Sequence, residues 1–140
     1  MSFREKSAWI SLVSYLAVYG YYFWQVFTAV AAGQMDSLHY AKLLTGLIVL
    51  LIMIQIALTI LVAVAKPREA RAPRDELDKL IDLKATRIGF AVIMIGALTV
   101  AAAIALGVPA FYTANGLFLA VIAAEVFKNI AQIVQYRMSA

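Results

Sequence analysis

Residues 111–136 read FYTANGLFLAVIAAEVFKNIAQIVQY. At 1.5 Å per residue a helix of about 20 apolar residues crosses a bilayer core, so this run is long enough to span one. Glu125 interrupts it near the middle, and Lys128, Asn129 and Gln132 follow. On a helix turning about 100° per residue, Glu125, Lys128, Asn129, Gln132, Gln135 and Tyr136 share about a third of the circumference, a stripe that opens toward the C-terminal end. Insertion scales put a charge at span centre at about 2.5–3.5 kcal/mol, so such a carboxylate is protonated, hydrated or paired.

Working outward, three more apolar runs match the same length, at about Ala8–Ala32, Tyr40–Ala65 and Thr86–Gly107. The chain is 64% hydrophobic and 14% charged, against about 45–50% and 25% for soluble domains. These observations predict an all-α polytopic membrane protein. Four transmembrane helices form an antiparallel bundle, one domain over 1–140, with a cytoplasmic loop at 66–85 carrying a short amphipathic extension before the third helix. Arg4 and Lys6, then an apolar stretch and Ala29-Val30-Ala31, resemble a signal peptide, but the stretch is too long for one and reads as an uncleaved anchor.

The net charge of +4 is unevenly spread. Seven of twelve Lys and Arg residues lie between spans two and three: Lys66, Arg68, Arg71, Arg74, Lys79, Lys84 and Arg87. By the positive-inside rule that loop is cytoplasmic, and so are both termini, with Arg4, Lys6 and Arg137; the membrane expected is a bacterial inner membrane. The basic excess is thus a topology signal, and no direct nucleic-acid partner is implied. Membrane lipids are the first partners.

No cysteine is present, which removes disulfides and thiolate metal sites, and His39 is the only histidine, so no cofactor or metal is expected. There is no serine–histidine–acid set and no phosphate-binding glycine loop, and the chain reads as a non-enzyme.

Depth along the helices selects partners for Glu125. Gln55 lies eleven residues from Lys66, about 16 Å, and Glu125 twelve from Arg137, about 18 Å. With Tyr19 at matching depth, the candidate intramembrane polar cluster is Glu125, Lys128, Asn129, Gln132, Gln55 and Tyr19. Lys128, at i+3, is the nearest partner for the carboxylate. Tyr15, Tyr19 and Tyr22 share one face of span one, with hydroxyls expected to bond neighbouring backbone or water. Gly33 with Asp36 and Ser37 makes the first outer turn, either Asp36 or Ser37 capping the next helix.

The cytoplasmic segment divides at Asp75. Lys66 to Pro73 reads as an irregular linker; beyond it Leu77, Leu80, Ile81 and Ile88 share a helical face, and Asp78 and Asp82 can pair with Lys79 and Lys84. Asp75, Glu76, Lys79, Lys84 and Arg87 form a candidate surface for a cytoplasmic partner. Span three is built from small residues, and Gly89, Gly96, Ala97, Ala101 and Ala105 define a close-packing face that makes this helix central to the bundle or to a homo-oligomer.

The stretch Asp75-Glu76, Ile81, Lys84-Ala85, then Ala124-Glu125-Val126-Phe127-Lys128-Asn129, Gln132 and Gln135-Tyr136-Arg137 resembles a group of small inner-membrane proteins of bacteria and archaea, a domain of unknown function. The resemblance covers about Arg74 to Arg137 and implies four spans with no established activity. It also implies a regulatory protein partner, since members are sometimes encoded beside helix-turn-helix regulators. Small multidrug antiporters carry their essential glutamate in the first span, where this chain has no acidic residue. The leading expectation is a regulatory or accessory subunit acting by protein contact, as a homo-oligomer or a subunit of a membrane complex. The alternatives are a proton- or cation-linked transporter or channel built around Glu125, and a binder of lipid or hydrophobic ligand.

Overall fold

The computed structural model describes residues 2–33 and 37–139, and every regular element among them is helical. The elements are α1 (Phe3–Ala31), α2 (Ser37–Ala65), α3 (Pro67–Arg71), α4 (Glu76–Ala105) and α5 (Ala110–Met138). Three of them, α2, α4 and α5, are long and apolar enough to cross a membrane. The turn expected around Asp36, with Asp36 as one candidate cap, lies outside the described residues, and Ser37, the other candidate, is the first residue of α2.

Local chemistry sets the helix ends. The Ser2 hydroxyl accepts from the Glu5 N–H and starts α1. Asp75 accepts from the Asp78 N–H at 2.7 Å and starts α4, with Glu76 and Asp78 beside the positive end of the helix dipole. The amphipathic extension and span three are therefore one continuous helix of 30 residues. The linker expected to be irregular contains one helical turn, because Pro67 at the first helical position has no N–H to leave unsatisfied. At the other end of α4, Gly107 adopts φ +80°, a left-handed conformation that lets the chain reverse within Leu106–Pro109.

The helices neighbour one another in the order α2, α1, α5, α4, with α3 beside the end of α2. The α4/α5 contact is the closest. A Cβ at Gly96 would overlap that of Ala120, and one at Gly89 would stand 3.2 Å from the Ala124 carbonyl oxygen and 3.3 Å from the Lys128 Cβ. Facing them, α5 carries Gly116, Ala120 and Ala124 at four-residue intervals. Ala85 is completely buried and Ile81 nearly so. Leu77, Leu80 and Ile88, read from sequence as sharing the Ile81 face, are exposed instead, as are Ala101 and Ala105. The helix with two extensive neighbours is α5, whereas α4 has α5 as its one extensive neighbour among the described residues.

Between α1 and α5 the core is aromatic and aliphatic. Tyr19, Tyr22, Val26 and Ile122 form one cluster; Ala8, Leu12 and Ile133 form a second. Tyr22 is buried to 1% exposure, and its hydroxyl donates to Asn115 Oδ1 at 2.6 Å, while Asn115 Nδ2 donates to the Phe111 carbonyl at 2.8 Å. The partner in this bond is a side chain on another helix. Removing one member of such a buried pair costs about 1–3 kcal/mol, so this bond holds α1 to α5 in one register.

Gly96→Val forces the backbones of α4 and α5 apart, an overpacking cost of about 1–3 kcal/mol. Thermal unfolding in detergent is expected to show a lowered midpoint for Gly96→Val and little change for Ala101→Val on the exposed side; equal effects at both positions would remove Gly96 as the determinant of the contact.

Candidate functional site

Because α4 leans on α5 and not on α1, a gap remains between α1 and the N-terminal half of α4. A cavity of about 390 Å³ fills it. It extends along α5 from Tyr136 to Glu125, eleven residues or about 16 Å. Its outer wall includes the half-exposed side chains of Arg74 and Asp82; its inner end is formed by Tyr15 and Glu125, with Gln55 in the lining between. Beyond that end the tyrosine cluster closes the bundle, Tyr19 stacking on Tyr15 with ring centroids 6.0 Å apart.

The outer part is held by charges. Asp78 accepts from Arg4 Nε at 3.1 Å and from the Tyr136 hydroxyl at 2.7 Å, so a single carboxylate joins α1, α4 and α5. Asp82 accepts from Gln132 Nε2 at 3.0 Å and lies 3.4 Å from Arg74. Arg137 stands 3.5 Å from Glu5 and 5.6 Å from the centre of the Trp9 ring. Hydrogen bonds to charged groups contribute about 1.5–3 kcal/mol when shielded; the Arg4–Asp78 pair, with side chains 29% and 19% exposed, is the better shielded, and Arg74–Asp82 is close to a surface pair of little net value. The pairing of Asp78 and Asp82 with Lys79 and Lys84 expected from sequence gives way to these longer-range partners.

Farther in, the pattern changes. Among the described residues neither the Glu125 carboxylate nor the Lys128 ammonium has a hydrogen bond or ion pair, although both line the cavity. Asn129, buried, turns its amide back to the Glu125 backbone carbonyl at 2.8 Å. Gln55 accepts from the Ser11 hydroxyl at 3.2 Å, and its Nε2 is buried without a partner.

The cavity therefore brings together five of the six side chains of the predicted polar cluster: Glu125, Lys128, Asn129, Gln132 and Gln55. Tyr19 lies outside it, in the aromatic core, while Tyr15 takes a place in the lining. The expected contacts of Glu125 with Lys128, Gln55 and Tyr19 do not form. Arg4, Ser7, Ser11, Arg74, Asp78 and Asp82 belong to the site and were not singled out for it. Only the serine spacing on the first helix, Ser7 and Ser11 one turn apart, carried a sequence signal. On the proposed docking surface, Asp75 serves as a helix cap, and Glu76, Lys79, Lys84 and Arg87 are exposed. Among the described residues no three His, Asp or Glu side chains gather to hold a metal ion.

Comparison with protein-family models, with curated proteins and with solved structures finds no match to this chain.

Because the chain has no cysteine, single introduced thiols report the cavity cleanly. Ser11→Cys, in the lining, is expected to react with a polar maleimide at least about tenfold faster than Ser14→Cys, which is buried in the packed core at 7% exposure. Similar rates would mean that water does not reach the inner wall.

Proposed function

We propose that this is a four-span membrane protein of the proton- or cation-linked transport type, with its polar cavity open to the cytoplasm. The carrying observation is the cavity itself, lined mainly by polar side chains, with Glu125 and Lys128 in it and, among the described residues, without a hydrogen bond or ion pair. A carboxylate serving only as glue between helices has its bonds made; this one faces space. A volume of about 390 Å³ lies within the range of small-molecule sites, about 300–1,000 Å³.

The helix contacts support the placement. The pairings of Asp78 with Tyr136, Asp82 with Gln132, Gly89 with Ala124 and Gly96 with Ala120 support an antiparallel α4/α5 pair. Arg87 to Ala105 covers nineteen residues of α4, about 29 Å, close to the hydrocarbon thickness of about 30 Å. Glu125 then lies level with Gly89, only about half a turn inside Arg87. Its depth is that of the inner boundary of the core and not the bilayer centre, where water entering the cavity hydrates it at far lower cost. The basic segment from Lys66 to Arg87 supports a cytoplasmic cavity mouth, and the resemblance over Arg74 to Arg137 supports a bacterial or archaeal inner membrane. In this reading α1 is the fourth span, 29 residues long and less apolar because its tyrosines and serines face protein and cavity.

A second reading, contact with a cytoplasmic regulator, rests on the exposed mixed-charge row of Glu76, Lys79, Lys84 and Arg87, none of which is consumed by the cavity.

The transport reading is tested in vesicles holding purified protein and an internal pH-sensitive dye, under an imposed pH gradient, with a mixture of small amines, carboxylic acids and amino acids outside. The dye response is expected to exceed that of protein-free vesicles and to fall at least about tenfold in Glu125→Gln. A wild-type response equal to the protein-free control, or an unchanged variant, overturns the reading.

A further inference from the structure

We infer that the cavity is a site for a small zwitterion, a molecule carrying one ammonium and one carboxylate, held ammonium-inward by Glu125 and carboxylate-outward by Lys128. The inference rests on the transport reading and names its solute class.

The argument begins with which charges are already used. Of the acidic groups in the lining, Asp78 is held by Arg4 and Tyr136, and Asp82 by Gln132 and Arg74. The same contacts occupy the two arginines. What remains is one carboxylate and one ammonium, Glu125 and Lys128, without partners among the described residues. A simple cation entering this space would satisfy Glu125 and face repulsion from Lys128; a simple anion would do the reverse. A zwitterion satisfies both, and no group is left charged and alone in a partly dehydrated space.

Position fixes its orientation. The cavity runs from Tyr136 inward to Glu125, so Glu125 is the deeper of the two and Lys128 lies one turn nearer the mouth, a rise of about 4.5 Å. Because the two side chains leave the helix at levels one turn apart, an amine and an acid joined by about two or three methylenes reach both more readily than a shorter molecule. A neutral donor reinforces the outer end. Ser11 lies between Ala8 and Leu12, which pack on Ile133, so the Ser11–Gln55 pair stands on the Lys128 side of Glu125. Gln55 Nε2, buried and without a partner, is a donor of the kind a carboxylate accepts. One competitor is internal, the weak i,i+3 attraction of Lys128 to Glu125 on their own helix.

The test measures binding to purified wild-type protein in detergent by isothermal titration, with glycine, β-alanine and 4-aminobutyrate as zwitterions and propylamine and propionate as single-charge controls. β-Alanine or 4-aminobutyrate is expected to bind at least about tenfold more tightly than either control, and to lose about tenfold in each of Glu125→Gln and Lys128→Gln, with the unliganded melting midpoints of both variants showing that they fold. Propylamine binding as tightly as the zwitterions, with Lys128→Gln unaffected, overturns the inference while leaving a cation-linked carrier in place. Absence of binding by all five compounds also overturns it, and a flat dye response in the vesicle experiment would then remove the transport reading as well. If Lys128→Gln does not fold, Gln55→Leu supplies the second arm: weaker zwitterion binding with unchanged propylamine binding is expected, and equal loss of both counts against a carboxylate at that end.

Discussion

The near-contact of backbones at Gly89 and Gly96 with Ala124 and Ala120 is the constraint from which the rest of the arrangement follows. No hydrophobic effect draws helices together in lipid, so they associate where small residues let backbones approach and many weak dispersion contacts form at once. On α4 those positions face α5 alone, which commits α4 to one neighbour and leaves its N-terminal half standing off from α1. The cavity is that gap. The same contact fixes the α4/α5 register, and through it the level of Glu125 relative to the last charged residue of α4, Arg87.

An open gap lined by charges requires something to keep its walls at a fixed separation. Asp78 does so at the outer end, where Arg4 reaches it from α1 and Tyr136 from α5. Two oxygens of one carboxylate thus join helices that otherwise meet only through α5. At the inner end, the Tyr22–Asn115 hydrogen bond and the packing of Tyr19, Val26 and Ile122 close the bundle. The cavity is accordingly braced by ionic contacts where water is near and by apolar packing where it is not, the division that desolvation costs favour.

Reading the sequence yields the helices but not the space between them. Long apolar runs mark the elements, and the Asp75 cap and Gly107 turn that bound α4 in the structure are likewise each encoded within a few residues. The polar stripe of α5 likewise points to Glu125, Lys128, Asn129 and Gln132 as one face, since a single helix determines that. Partner choice is another matter. Asp78 and Asp82 have lysines one and two residues away, yet their partners Arg4 and Gln132 lie 74 and 50 residues distant, beyond any local rule. The four-residue spacing of Ala97, Ala101 and Ala105 suggests a packing face, but Gly89 and Gly96 make the approach because the matching stripe, Gly116, Ala120 and Ala124, lies on α5. Two stripes must be read together before either has a direction.

Hydropathy itself needs reinterpretation in this setting. The most apolar helix, α2, has mean hydropathy 3.1 over a stretch of which no described residue is buried in protein; α4 follows at 2.5 with 6% buried, and α5 at 1.8 with 33%. The order inverts the rule for soluble proteins, where apolar residues mark the interior. In a bilayer the exposed surface is the apolar one, and a helix can carry hydroxyls, amides and charges only in proportion to the protein or cavity that covers them. On α1, Ser7, Ser11 and Tyr15 lie on the cavity and Tyr19 and Tyr22 in the core, so these polar side chains stand where protein or cavity covers them. The modest hydropathy of α1 reports its position between α2 and α5, and the side chains that lower it are the ones that build the cavity wall.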